Sequence, residues 1–313
     1  MKIGKRKFNI GNQCYVMGIL NVTPDSFFDG GRHMDKDTYL KRVETMITEG
    51  CDILDIGGQS TRPGHKCISE AEEIDRVAPV IENILRHFEL PISLDTYKAA
   101  VAEAGISAGA DMINDVWGLR HDERMAALIA REQVACCLMH NRRPVGEREN
   151  NRRHLENVEQ GGSDKAVRGA VKDDLIDEIC ASLTGSVDIA RSAGIADEQI
   201  ILDPGIGFGK NYEENLHILA HLAELKIPDF PWLLGASRKS VIGLALDVPV
   251  EERLEGSIVT TVMAVMAGFS FVRVHDIAAH KRAVRMCEAV LAGKAVEYIQ
   301  RPIACAMGET QRY

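Results

Sequence analysis

The sequence predicts an α/β fold: a single (β/α)8 TIM barrel with a short N-terminal extension and a long polar insertion after the fifth strand. Three observations carry this. Eight short apolar or β-branched runs recur, at residues 14–20, 52–56, 92–94, 112–113, 134–139, 199–202, 232–234 and 271–274. Most are followed by apolar side chains at helical spacing, and runs without alternation suit parallel strands covered on both faces. Nearly every run ends in a residue able to do chemistry: Asn21, Gly57 leading into Thr61, Asp95, Asn114, His140, Asp203, Ser237, and Arg273 with His275. In a closed barrel all eight strand C-termini share one mouth. An open doubly wound sheet gives its outer strands no reason to end in polar groups.

Residues 2–13 precede the first strand and are expected to form a small hairpin over the barrel bottom. Leu40, Val43 and Ile47 mark the first helix. The second opens with the capping-box spacing of Ser69 and Glu72, and Ile74, Val77, Ala78, Ile81, Leu85 and Phe88 form its apolar face. Met125, Leu128 and Ile129 mark another helix, and Leu175, Ile176, Ile179 and Leu183 a further one. Residues 141–170 nearly lack large apolar groups and carry seven Arg/Lys and five Asp/Glu. They read as a polar loop at the mouth, a plain surface insertion in preference to a lid or partner contact. With 1–13, 141–170 and the tail 297–313 set aside, about 250 residues remain, the length of one barrel. Residues 1–313 therefore read as a single domain.

The 37 Lys/Arg against 46 Asp/Glu give a net charge of −9, which argues against nucleic acid or an anionic membrane as partner. The eight cysteines form no C-x-x-C pair and no zinc spacing, the usage of a reduced cytoplasmic protein. No apolar segment follows the basic start as a secretory signal requires. The longest uncharged run, 256–272, is shorter than the ~18–20 residues of a membrane span.

The strand ends carry the chemistry. In the loop 57–64 two glycines allow close backbone approach, Ser60 and Thr61 bring hydroxyls, and Arg62 brings a planar cation suited to phosphate. Asn21 can offer its carbonyl oxygen to Mg²⁺, which takes few protein oxygens beside phosphate and water; the plainer alternative is an Asx-turn cap. The segment Asp203 to Lys210 fits neither a dinucleotide fingerprint nor a Walker loop. Asp203 with Asp95 and Asn114 can instead read the amino and ring N–H edge of a heterocycle. Arg273 and His275 alternate along a strand, so both point into the mouth, a cationic pair beside Lys239. The helix start near Ser240 adds a second anion site. His217 and His221 at i, i+4 lack a third ligand and read as an ordinary helix face, and Cys136-Cys137 reads as core.

Together the segments 21–31, 57–64, 95–96, 114–117, 203–210, 237–240 and 273–276 resemble, in order, the motif set of the dihydropteroate synthase family. The resemblance implies a pterin-binding TIM barrel that condenses 6-hydroxymethyl-7,8-dihydropterin diphosphate with 4-aminobenzoate. It also implies Mg²⁺ as cofactor, a homodimer, and inhibition by sulfonamides. By position, Asp95, Asn114, Asp203 and Lys239 would bind pterin, and Thr61, Arg62, Arg273 and His275 the diphosphate. Asn21 would contact the diphosphate as its metal ligand. Ser240 would hold the aminobenzoate carboxylate, with Phe27, Thr61, Arg62 and Pro63 lining that pocket. Asp25 would stabilise a cationic pterin methylene in an SN1-like path, so Asp25, Arg62, Lys239, Arg273 and His275 form the expected catalytic set. Gln59 departs from the family's usual Glu. The rivals are a methyltetrahydrofolate:corrinoid methyltransferase, which has no need of the diphosphate cations, and a catalytically silent pterin-binding protein, which would have lost some of these residues.

Overall fold

The structure is a computed structural model that describes residues 1–11, 13–23, 36–59, 67–142 and 174–293, and the backbone of 28–29 and 33–34. A hairpin opens the chain, β1 (Lys2–Ile3) pairing antiparallel with β2 (Arg6–Lys7). The barrel proper runs β3 (Tyr15–Asn21), a two-strand ribbon β4 (Phe28–Asp29) and β5 (His33–Met34), α1 (Lys36–Thr48), β6 (Ile53–Gly57), α2 (Glu70–His87), β7 (Ile92–Asp95), α3 (Ala99–Ser107), β8 (Met112–Asp115), α4 (Arg124–Glu132) and β9 (Ala135–Met139). It continues with α5 (Leu175–Ala193), β10 (Ile200–Asp203), α6 (Tyr212–Ala220), β11 (Leu233–Leu234), α7 (Ser240–Leu246), α8 (Leu254–Met266), β12 (Phe271–Val274) and α9 (Ile277–Ala292).

The eight-stranded sheet is ordered β10-β9-β8-β7-β6-β3-β12-β11 with all neighbours parallel. A parallel bridge between Leu202 and Trp232 joins its two edges and closes the ring. Each predicted run therefore lies on a strand. The seventh is reduced to two residues, preceded by Trp232, which makes that bridge and whose carbonyl accepts the N–H groups of Ser270 and Phe271.

Two shells of apolar packing follow from strand parity. One set of side chains faces the helices, among them Val16, Leu54, Ile56, Leu94, Ile113, Leu202 and Val272. The alternate set fills the lower barrel: Tyr15, Met17, Ile53, Met112, Ala135, Cys137, Ile201, Leu233 and Phe271. Cys136 and Cys137 are both core, one in each shell. Ile3 and Phe8 from the N-terminal segment complete the inner shell, as the expected bottom cover. Phe8 meets Tyr15 edge-on at 4.8 Å between ring centroids. Polar groups fasten this plug: Asp52 accepts from Arg6 and from Lys281 of α9, each at 2.5 Å, and from the Val16 N–H at 2.9 Å.

Local details depart from expectation. Ser69 Oγ caps Glu72 N at 3.1 Å, but the Glu72 carboxylate turns outward to Arg76, so only half of the capping box forms. Helix α7 begins at Ser240, one residue before Val241. Of the polar insertion 141–170 only Asn141 and Arg142 fall among the described residues. Arg142 pairs with Glu178 of α5 and Glu214 of α6, fixing the start of the segment between two helix N-termini. The tail 297–313 lies outside the described residues.

Candidate active site

The upper barrel interior is polar, and parity explains which residues reach it. Ile53 lies in the inner shell, so Asp55 two residues on points the same way. Phe271 does likewise on β12, which directs Arg273 and His275 inward. Asp55 is fully buried. Arg273 sits between two carboxylates: its Nε donates to Asp55 Oδ2 at 2.5 Å and its Nη2 to Asp95 Oδ2 at 2.7 Å. Asn114 Nδ2 reaches the same Asp55 oxygen at 3.5 Å. The second oxygens of Asp55 and Asp95 are buried and have no hydrogen-bond partner among the described residues. Buried acceptors of this kind call for a donor, which a ligand with N–H groups would supply.

Two glycines leave the space. A Cβ placed on Gly57 would lie 3.6 Å from Asn21 Oδ1 and 3.7 Å from Asp95 Cβ. One on Gly235 would lie 3.6 Å from Asp203 Oδ2, 3.9 Å from Arg273 Cβ and 4.0 Å from Lys239 Nζ. Asn21, Asp95, Asp203, Lys239 and Arg273 thus converge on one mouth, with Asn114 beside them.

Burial sets the electrostatics. It pushes Asp95 up to about 7 against the pull of Arg273, with Asp55 adding to the rise. It also raises Asp203 and lowers Lys239 to about 8, while the attraction between those two opposes both shifts. Burial disfavours the charge on Arg273 as well, yet Asp55 and Asp95 outweigh it and hold the guanidinium above its ordinary range. The expected cationic pair at the end of β12 is therefore largely answered from within: Arg273 is a bridged cation between two acids.

The loop after β11 is braced from three sides. Arg238 adopts φ +57° and forms a two-pronged pair with Asp276, at 2.9 and 2.6 Å. Its N–H donates to Ser257 Oγ and its carbonyl accepts from Arg253. That turn delivers Lys239, whose ammonium donates to Ile206 O at 2.5 Å and lies 4.7 Å from the Phe208 ring centroid. Ser240 is exposed at the N-terminus of α7. Below Lys239, the loop after β10 packs so closely on β9 that a Cβ on Gly205 (φ +69°) would come 1.9 Å from His140 O. Only glycine fits there. The buried Lys210 ammonium ties the same loop to the carbonyls of Gly205, Phe208 and His140 at 2.8, 3.2 and 3.3 Å.

Gln59 belongs to a network behind the second loop. Its amide donates to Tyr97 Oη at 2.9 Å and its carbonyl accepts from Lys98 Nζ at 2.8 Å, while Lys98 also pairs with buried Glu73. Asp25, Phe27, Thr61, Arg62 and Pro63 lie outside the described residues. The His217 and His221 rings stack 4.0 Å apart, and the described residues contain no group of three or more His, Cys, Asp or Glu able to hold a metal ion. Sequence reasoning missed Asp55, whose signal was an acid inside an apolar strand in phase with the strand-end Gly57. It named Ser237 without a role and treated Lys210 only as a failed Walker lysine.

A closed parallel barrel whose mouth gathers acids, two amides and two cations suits a heterocyclic ligand with N–H donors and an anionic group. The family described as Pterin binding enzyme matches residues 17–275, and the chain belongs to it. The chain is 49% identical over 292 residues, 93% of its length and 99% of the relative's, to the dihydropteroate synthase of Clostridium beijerinckii. Among solved structures, it resembles a dihydropteroate synthase from Clostridium difficile, crystallised in the presence of pteroic acid, with TM-score 0.79 and 43% identity, covering 91% of this chain and 99% of that one. The Yersinia pestis dihydropteroate synthase with a sulfonamide drug gives TM-score 0.80 and 37% identity, covering 93% and 99%. Among the described residues no helix is long and apolar enough to cross a membrane.

Proposed function

We propose that this chain condenses 6-hydroxymethyl-7,8-dihydropterin diphosphate with 4-aminobenzoate, giving 7,8-dihydropteroate and diphosphate. The observation that carries the reading is the Asp55–Arg273–Asp95 bridge with its two unanswered carboxylate oxygens, set beside Asn114, Asp203 and Lys239. A pterin presents adjacent amino and ring N–H donors on one edge and acceptors on the other. Asp95 and Asp203 match the donors, and Asn114 and Lys239 add hydrogen bonds around the ring. Arg273 and His275, side by side at the end of β12, receive the diphosphate together with Thr61 and Arg62. The exposed start of α7 at Ser240 offers N–H groups to the aminobenzoate carboxylate, and the family resemblance assigns Phe27 and Pro63 to the same pocket.

The chemistry needs little beyond this. Diphosphate leaves readily once its developing charge meets fixed donors, and the ring delocalises the charge left on the methylene carbon. Asp25 is assigned to that cation. An arylamine is already unprotonated near neutral pH, so no strong general base is required. For Mg²⁺ the fit rests on Asn21, whose side-chain oxygen faces the mouth beside Gly57. One neutral oxygen suits an ion that draws its remaining ligands from phosphate and water, and the bound ion would neutralise diphosphate charge.

A homodimer is proposed on the outer faces of α8 and α9. Val259 and Met266 on the one, and Met286 and Val290 on the other, are 58–66% exposed. Meanwhile Ser257, Thr260 and Thr261 of α8 are turned inward. Two-fold pairing of such a patch covers it on both copies. Sedimentation velocity is expected to show a dimer, and Val259→Glu a shift to monomer.

Titration with pteroic acid, which carries both halves of the product skeleton, tests the proposed site. One molecule is expected to bind per chain, and more weakly as pH falls through about 7. The sign follows from Asp95, whose ionised form accepts from two N–H groups and whose protonated form cannot. Below its pKa each pH unit weakens binding by up to about tenfold. Asp95→Asn should bind weakly throughout, with that pH dependence gone. A wild-type chain that fails to bind pteroic acid contradicts the reading.

A further inference from the structure

The best-defined contact at the mouth with no assigned role joins Ser237, at the end of the seventh strand segment, to His275, at the end of the eighth. Ser237 is buried, and its Oγ lies 3.0 Å from His275 Nδ1. The same oxygen accepts the backbone N–H of His275 at 3.3 Å. A hydroxyl has one hydrogen, and a buried hydroxyl hydrogen needs an acceptor. Among the described residues both hydrogen-bond partners of the Ser237 hydroxyl belong to His275: one is an N–H, which can only donate, and the other is Nδ1. A hydroxyl hydrogen directed at Nδ1 satisfies both atoms, with Nδ1 holding the lone pair.

We propose that Ser237 is a positioning residue that sets the His275 tautomer, so that the ring carries its proton on Nε2 and presents an N–H donor to the diphosphate. The opposite tautomer would turn a lone pair toward phosphate oxygens, at a place where every other group must donate. The donor is also held in place. The His275 carbonyl accepts from Arg42 of α1 at 3.0 Å, and the following residue, Asp276, is gripped by Arg238. The ring is thus fixed from its backbone and from Nδ1 together. The purpose given to the tautomer rests on the proposed placement of diphosphate; the tautomer itself rests on the hydrogen-bond geometry alone.

The test is ¹⁵N NMR of histidine-labelled protein at neutral pH, with His275 assigned by difference from His275→Gln. The expected spectrum shows a pyridine-like Nδ1 and a pyrrole-like Nε2. In Ser237→Ala that preference should be lost, and inorganic diphosphate should bind about tenfold more weakly, the loss of one well-aimed charge-assisted hydrogen bond. Ser237→Thr, which keeps the hydroxyl, should restore both. A wild-type ring protonated on Nδ1, or one whose tautomer is unchanged in Ser237→Ala, overturns the proposal, and the wild-type spectrum decides even if a variant fails to fold. An Nε2–H ring in a chain that binds no diphosphate overturns the purpose and the diphosphate placement, and leaves the Ser237 hydrogen bond standing.

Discussion

Arg273→Met is expected to inactivate the protein and to destabilise it together. Arg273 answers two buried acids at once, Asp55 at 2.5 Å and Asp95 at 2.7 Å. Removing the guanidinium leaves both uncompensated, and breaking a buried ion pair from one side costs about 3–5 kcal/mol. On the proposed chemistry the same residue also stabilises the departing diphosphate. Loss of one donor aimed at developing charge lowers kcat by about 10²–10³. Denaturant unfolding and steady-state kinetics separate the two effects. Adding Asp55→Asn to Arg273→Met should recover part of the stability, because one stranded charge is gone, and none of the activity. Recovery of activity in that double variant would show that Arg273 serves only to neutralise Asp55.

The second large effect lies at the opposite end of the barrel. Asp52→Ala removes the acceptor shared by Arg6, Lys281 and the Val16 N–H, and so unfastens the N-terminal hairpin from β6 and α9. The Asp52 side chain is only 8% exposed, so this is no solvated surface pair. Two poorly hydrated cations and a buried N–H are left without their acceptor, at a cost of about 3–5 kcal/mol. Activity per folded molecule should stay at the wild-type level at low temperature, because the bottom of such a barrel carries stability and the top carries function. Thermal melts with parallel rate measurements check this. A slow enzyme with an unchanged melting temperature would contradict the division.

This division marks what could be read from the sequence. Strand runs and helix faces were legible because each element buries a periodic pattern, and strand-end residues were legible because a barrel turns them all toward one mouth. Asp95, Asn114, Asp203, Lys239 and Arg273 were found that way. The pairing among them was not, because Arg273 and Asp55 are 218 residues apart and meet only because the last strand, β12, and β6 flank β3 in the sheet. Asp55 was hidden inside its strand, where an acid among apolar residues looks like an interruption. Asp52, counted as the first residue of that run, serves as the fastening of the plug, and its partners come from the two ends of the described chain. Gln59 could be judged only as a departure from a motif; the fold shows it holding Tyr97 and Lys98.

The most direct measurement is the rate of diphosphate release from 6-hydroxymethyl-7,8-dihydropterin diphosphate with Mg²⁺, with and without 4-aminobenzoate. The account predicts sustained release only when 4-aminobenzoate is present, with one 7,8-dihydropteroate formed per diphosphate. Absence of release, or release indifferent to 4-aminobenzoate, would contradict it.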